Sequence, residues 1–559
     1  MKKTLLIFLF SSIVNISAQV TNQGEPASWK LQNKTAISAI EIPIFDIKKI
    51  KQEDETQDKI QTKPFRTGIE KKINYGLKNA GQWTTLPNGD RIWRVLFHSK
   101  DALHLSVNFD SFYLPKGATI YLYNSDKTDL LGAYTETQNN PKEKLGTWFV
   151  KGDLLWIEYY EPKEVKGQGK LHLSSIIHDY RQGNTYQKGY SDLKLNQSGD
   201  CNLDVDCPIG ADFESNRDVL KKSVAFLRLG NGYVCSGTLI NNTAQDKKPY
   251  FLSANHCSKN EDGSDADPSL FSMRFNWISP NPICASTDNS TDATANLSIS
   301  GAEFKSRNAN SDVMLVEITS AIPNDWDVTF AGWDKTDVAP AYVVGIHHPS
   351  GDIMKICRDN TGVIKGPNNA GGSTAQTWEI TTAGGGWELG VTEGGSSGSA
   401  LFNPDGEIIG QLYGGGASCT GTSDNGQLDF YGRFAISWNA GSSMDTRLKE
   451  WLDPQGENPD TLNVLQNSLA IDDVDDDILS NNIAIFPNPT SGELYIQTNK
   501  WGEKLNYQIY DLLGQELLSN TLKDSGTIKL DALESNVYFL KIIEKETNKS
   551  VVKKIILRK

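Results

Sequence analysis

A chain of 559 residues exceeds one compact core and has room for three or four domains of ~150 residues each. Charged residues make up 22% and hydrophobic residues 38%, a globular balance that excludes a wholly disordered or membrane-embedded chain. The formal net charge of -14 argues against a nucleic-acid partner, which needs a basic surface, and suits basic substrates.

Met1-Lys2-Lys3, the mostly apolar run Leu5 to Val14 and the small Ala18 read as a signal peptide over residues 1–18, too short to span a membrane as a helix. Residues 19–194 hold no cysteine. Their first ~60 are polar and are expected to be loosely ordered. From about 70 onward the region is expected to be β-rich, with strands over Ile92 to Phe97, His104 to Phe109 and Ala118 to Tyr123, and turns at Pro87-Asn88-Gly89 and Pro115-Lys116-Gly117. Residues 195–456 hold all seven cysteines, many short strand patterns and one amphipathic helix around Thr446 to Leu452. Behind a signal peptide those cysteines read as disulfides with one thiol left over. None has CxxC spacing, so no metal is expected. Residues 457–482 form a linker with the acidic run Asp472 to Asp477, and residues 483–559 read as a small all-β unit.

Three segments carry chemistry. In Gly394-Gly395-Ser396-Ser397-Gly398-Ser399, glycines let the backbone turn sharply, which exposes a serine hydroxyl and aims N–H groups at one point. In Tyr250-Phe251-Leu252-Ser253-Ala254-Asn255-His256-Cys257, an apolar strand runs into a histidine beside a cysteine; a disulfide there would fix the ring of a general base. Asp312 heads the apolar strand of Asn310 to Val316, where a carboxylate could orient an imidazole. The serine loop is the strongest of the three, the histidine context is uncommon in a chain with seven histidines, and an aspartate at a strand start is ordinary by itself. The order His, Asp, Ser in an all-β pattern selects a double β-barrel of the trypsin type, with His256 as base, Asp312 as its orienter and Ser397 as nucleophile.

Longer stretches support that reading: Cys201 to Pro208, Cys235 to Thr243, Ala331-Gly332-Trp333-Asp334, Ile346-His347-His348-Pro349, Gly390 to Ser399 and Asp429-Phe430-Tyr431-Gly432-Arg433. Through them, residues from about Cys201 to Pro454 resemble the bacterial lysyl endopeptidase family of trypsin-like serine proteases. The resemblance implies a double six-stranded β-barrel, and an oxyanion hole from the N–H groups of Gly395 and Ser397. It implies the disulfides Cys201–Cys419, Cys207–Cys284 and Cys235–Cys257, with Cys357 free. It implies no cofactor. Asp429 would sit at the base of the specificity pocket, with Tyr413, Gly414 and Gly415 along its edge, so that peptides cut after basic residues, chiefly lysine, are the expected substrates. The family's histidine is replaced by Tyr413, and the counterpart of its tryptophan is Trp378 or Trp387, which leaves lysine over arginine open. His347 and His348 are expected to be structural.

In trypsin-like proteins an aspartate before the nucleophile pairs with a freed N-terminal amine; here that residue is Ser396, and the Cys201 bridge is expected to replace the ion pair. Lys194 offers a self-processing site, which would make residues 19–194 a propeptide that aids folding and blocks the cleft. The tail, through Phe486-Pro487-Asn488-Pro489, Tyr510 to Gly514 and the basic end Lys553 to Lys559, resembles the type IX secretion sorting domain of Bacteroidetes, a small β-sandwich. Export across the outer membrane by that machinery, as a monomer, is the expectation. The competing readings are a trypsin-like protease of broader specificity and a catalytically silent surface adhesin on a protease fold.

Overall fold

The computed structural model describes residues 24–31, 36–58, 63–181, 198–291, 297–323, 326–370, 373–380, 386–466, 483–488, 490–498, 505–511, 515–522, 526–544 and 550–559. The expected signal peptide, the cut after Lys194 and the acidic run at 472–477 lie outside these residues. The chain divides into two compact units, Met1–Asn467 and Ser468–Lys559. Strands dominate both, as the all-β expectation requires.

The N-terminal part of the first unit holds two sheets. Strands Arg91–His98, Leu154–Glu161 and Thr119–Asn124 lie side by side in one, and His104–Tyr113 and Lys170–Asp179 pair in the other. Their inward residues, among them Trp93, Phe97, Leu122 and Ile157 from the first and Val107, Phe109 and Leu173 from the second, fill one core. That core continues into Phe226, Val234 and Trp277, so this region shares its apolar interior with the cysteine-rich part.

The expectation of loose order before residue 70 is corrected in part. Helix Ile47–Gln57 forms, capped where the Lys49 N–H donates to the Asp46 carboxylate at 3.1 Å. Its Asp54 is buried against Arg66 at 2.8 Å and accepts from the Tyr180 hydroxyl at 2.7 Å. A polar run with few apolar residues gave no local signal, because its partners come from a distant strand end.

In the cysteine-rich part, seven strands form one sheet among the described residues, including Val224–Arg228, Tyr233–Leu239, Tyr250–Ala254 and Val313–Ile318, and Phe65–Arg66 of the N-terminal region joins it as an eighth. Nine form another, including Val343–His347, Ala400–Phe402, Ile408–Gly415 and Asp429–Arg433, and Thr461–Leu462 of the expected linker pairs with Trp333–Asp334 as its tenth strand. Each encloses its own apolar cluster: Leu227, Phe251, Phe275 and Met314 in the first, and Val344, Ile356, Phe402 and Ile408 in the second. The helix expected near Thr446 to Leu452 forms as two short turns, Met444–Thr446 and Lys449–Leu452, with Leu448 and Leu452 buried.

In the second unit, strands Ile483–Phe486, Glu493–Thr498 and Gly526–Lys529 make one sheet and Glu516–Leu522, Leu505–Tyr510, Asn536–Glu544 and Ser550–Leu557 another. Leu494 and Ile496 of the first meet Ile509, Leu540 and Ile555 of the second in a common core. The Asn488 side chain bridges to the last strand, donating to the Lys554 carbonyl at 2.7 Å and accepting from the Ile556 N–H at 2.9 Å. That pairing gives a structural reason for the Phe-Pro-Asn motif.

Candidate active site

Antiparallel pairing of Tyr250–Ala254 with Val313–Ile318 sets Ala254 opposite Val313, which brings the next residues of both segments to the same sheet end. His256 stands there on the short turn Asn255–Ser258. Its Nδ1 lies 2.7 Å from Asp312 Oδ2, its backbone N–H donates to Asp312 Oδ1 at 2.9 Å, and the Asn255 N–H donates to the Asp312 carbonyl at 2.8 Å. Asp312 adopts a left-handed backbone with φ of 52°, held by these bonds. Burial raises its carboxyl above the ordinary range, and the His256 ring and N–H oppose that rise. The other ring nitrogen, Nε2, is buried and makes no hydrogen bond among the described residues. The Cys235–Cys257 disulfide braces the turn. His256 and the two sulfurs lie close together, but both sulfurs are spent in that bond and offer no thiolate to a metal.

Ser397 lies on a turn pressed against these strands. Gly395 and Gly398 take φ of 95° and 83°. A Cβ on Gly398 would come within 2.1 Å of Ser253 Oγ and 2.6 Å of the Ala254 nitrogen, so only glycine lets the turn approach the strand that leads to His256. Ser236 fastens the turn: its N–H donates to the Ser397 carbonyl and its hydroxyl to the Gly395 carbonyl, each at 2.9 Å. The N–H groups of Gly395 and Ser397 donate to no group among the described residues. The structure thus joins His256 to Asp312 directly and sets Ser397 beside the His256 turn, 4.0 Å from Cys257 Sγ through its carbonyl.

Asp429 is fully buried. Its Oδ2 accepts from Trp387 Nε1 at 2.8 Å and Thr392 Oγ1 at 2.6 Å, and its Oδ1 from the Ala417 N–H at 3.3 Å. Burial pushes its carboxyl up to about 6 against those three bonds, and no cation is paired with it among the described residues. In the sheet it sits opposite Gly415, and Phe430 opposite Gly414; a Cβ on Gly415 would meet Asp429 Oδ1 at 1.9 Å. The Tyr413 ring is 6.3 Å from the His256 ring, and its hydroxyl donates to the Ser373 carbonyl at 2.8 Å. Thr392 was missed from the sequence, although it lies in the quoted stretch before Ser397. Of the two tryptophans left open, Trp387 is the one bonded to Asp429; Trp378 instead donates to the Ile409 carbonyl at 3.1 Å.

Cysteines 201 and 419, 207 and 284, and 235 and 257 are joined, and Cys357 is free and buried. His347 and His348 are fully buried; His347 Nδ1 contacts Ser396 Oγ at 2.8 Å and His348 Nδ1 the Asp352 carbonyl at 2.9 Å.

All-β sheets, a disulfide-braced turn with a carboxylate-held imidazole, and a glycine-flanked serine beside it set the side-chain types of a serine hydrolase next to one another. Residues 195–432 match the family model described as "Lysyl endopeptidase, C-terminal domain", and residues 484–558 match that described as "Secretion system C-terminal sorting domain". The tail marks the protein for secretion or the cell surface. A lysyl endopeptidase of Pseudomonas aeruginosa is 28% identical over 295 residues, 51% of this chain. The chain spans 60% of that relative's length. Among solved structures, PorZ, a surface component of the type-IX secretion system of Porphyromonas gingivalis, aligns at 13% identity over 59% of this chain and 45% of its own, with a TM-score of 0.12. A biofilm-associated protein BSP domain aligns at 8% over 92% and 69%, also with a TM-score of 0.12. At such scores neither bears on the fold.

Proposed function

We propose that the chain is a secreted serine endopeptidase that cuts after basic residues, chiefly lysine. The observation that carries this reading is His256: one ring nitrogen is clasped by buried Asp312 and the other is unpartnered beside the Ser397 turn. Asp312 fixes the tautomer, so Nε2 is the nitrogen able to take a proton from the Ser397 hydroxyl. The freed alkoxide attacks the scissile carbonyl, and the N–H groups of Gly395 and Ser397 receive the oxyanion. The imidazolium then returns its proton to the leaving amine, an acyl-enzyme forms on Ser397, and water repeats the sequence. The eight- and ten-stranded sheets are read as the two barrels of a trypsin-like fold, with residues 195–456 as the protease domain.

Asp429 supplies selectivity. A buried carboxylate without a cation is costly, and a lysine ammonium entering beside Gly414 and Gly415 relieves that cost. The N-terminal region is read as a propeptide that holds the enzyme silent. In support, Phe65–Arg66 adds as an antiparallel strand to Tyr233–Leu239, and the Phe65 ring covers Gly394, three residues before the nucleophile. The tail is read as cargo for the type IX machinery.

The test is a fluorophosphonate probe followed by cleavage profiling on a peptide mixture. Labelling confined to Ser397, lost in Ser397→Ala, with cuts after lysine or arginine, is expected. A protein that takes no label, or cuts after neutral residues, overturns the reading.

A further inference from the structure

The segment just before Cys201 is anchored by two carboxylates. The Gly199 N–H donates to both Glu393 oxygens, at 3.2 and 3.1 Å. The Ser198 N–H and hydroxyl donate to Asp352 Oδ2 at 3.2 and 2.9 Å. Asp352 is itself 3.5 Å from the buried ammonium of Lys355, which also meets Asp204. Glu393 is four residues before the nucleophile, and its own backbone closes the nucleophile turn. Its carbonyl accepts the Ser396 N–H at 3.0 Å, its N–H donates to Ser396 Oγ at 3.2 Å, and Ser350 Oγ donates to its carboxylate at 3.2 Å. The fit is close: a Cβ on Gly199 would lie 2.8 Å from Glu393 Oε1 and 2.5 Å from Cys419 Cβ.

We infer that Glu393 is the positioning residue of this active site: by clasping the Gly199 N–H, its carboxylate holds the turn that presents the Gly395 and Ser397 N–H groups to the reacting carbonyl. The inference rests on the protease reading. Ser396 cannot receive an N-terminal amine as an ion pair, since a hydroxyl carries no charge, and its own hydroxyl is engaged by Glu393 and His347. A main-chain N–H reached by a neighbouring glutamate performs the same mechanical task without a free terminus. The Cys201–Cys419 bridge keeps that N–H in place. Because Glu393 touches the turn and not the pocket carboxylate, its loss should weaken transition-state stabilisation and leave ground-state binding of lysine intact.

The full chain is expressed, allowed to mature, and assayed on a lysyl amide as wild type, Glu393→Ala, Glu393→Gln and Gly199→Ala. A displaced turn of this kind costs roughly 10²-fold in rate. Glu393→Ala should therefore lose that factor in kcat with KM little changed. Glu393→Gln, which keeps an acceptor oxygen, should recover most of it. Gly199→Ala, whose Cβ meets the Cys419 side chain as well as Glu393, should lose at least as much kcat as Glu393→Ala. Should Glu393→Ala fail to accumulate, the soluble Gln and Gly199→Ala proteins decide by the same kcat against KM split. Unchanged kcat in Glu393→Ala, a loss confined to KM, or a Gln variant as poor as the alanine one would overturn the inference while wild-type activity leaves the protease reading standing. An inactive wild type that takes no fluorophosphonate would overturn both.

Discussion

Asp312 and Asp429 are both buried carboxylates, yet their surroundings assign them opposite tasks. Asp312 is held by the His256 ring and N–H, so its charge is directed at an imidazolium. Removing the charge while keeping the shape, Asp312→Asn, should lower kcat by about 10⁴-fold because the wrong ring nitrogen then carries the proton; a steady-state assay on a lysyl amide reads it. Asp429 has donors but no cation among the described residues, and burial raises its carboxyl to about 6. Below that pH it is protonated and cannot attract an ammonium; above it the pocket is charged. The ratio of kcat/KM for a lysyl substrate to that for a norleucyl one should therefore climb as pH rises from 5 to 7. Taking the ratio cancels any ionisation that acts equally on both substrates. A flat ratio would remove Asp429 from the pocket.

Among elements, the nucleophile turn and the strand Asp429–Arg433 depend on how closely backbones approach. Gly432 of strand Asp429–Arg433 would place a Cβ 1.7 Å from the Ser311 carbonyl, next to Asp312. Gly432→Ala should shift that carbonyl and destabilise the fold by roughly 1–3 kcal/mol, the usual cost of overpacking, as read by urea denaturation. Beneath the turn, His348 stacks on Trp277, with ring centroids 6.0 Å apart, and burial pushes its ring down to about 3. The sign follows from proton uptake: the unfolded ring protonates near 6.5 and the folded one does not, so the contribution is complete above that pH and declines as pH falls toward 3. Between pH 7 and pH 5 the decline amounts to about 2 kcal/mol. His348→Phe, which keeps the packing, should lose that much less stability than the wild type over the same interval. This comparison is needed because the buried carboxyls raised by burial, Asp312 and Asp352 among them, shift stability the other way.

For the whole molecule, the N-terminal sheets and the cysteine-rich part share one apolar core and buried ion pairs such as Arg228 with Asp179 at 2.9 Å. If the N-terminal region is removed as the proposed propeptide, Phe226, Val234 and Trp277 need other cover afterwards. The strand Phe65–Arg66 is the part nearest the chemistry. Phe65→Ala in the unprocessed chain should raise the rate of fluorophosphonate labelling at Ser397, because the ring over Gly394 is gone while the remaining contacts hold the two parts together. An unchanged rate would mean that the block lies elsewhere.

Reading the residues alone was enough to set the all-β class and to mark the tail for export, and it singled out His256 and Asp312, which the fold joins, and Ser397, which the fold sets beside the His256 turn. Those features live in short contiguous motifs whose spacing is imposed by local backbone needs: glycine around a sharply turned serine, an apolar strand before a fixed histidine. That Ser397 is itself buried, where the motif suggested an exposed hydroxyl, is decided by the strands packed over the turn. Trp387 and Thr392 as partners of Asp429, the clasp between Glu393 and Gly199, and the ion pairs that order helix Ile47–Gln57 were not legible. Each joins groups far apart in the chain, or turns on which of several polar atoms burial leaves facing a given carboxylate. A hydrogen bond of that kind has no sequence period; it exists only once packing has chosen the neighbours and excluded the water that would otherwise compete.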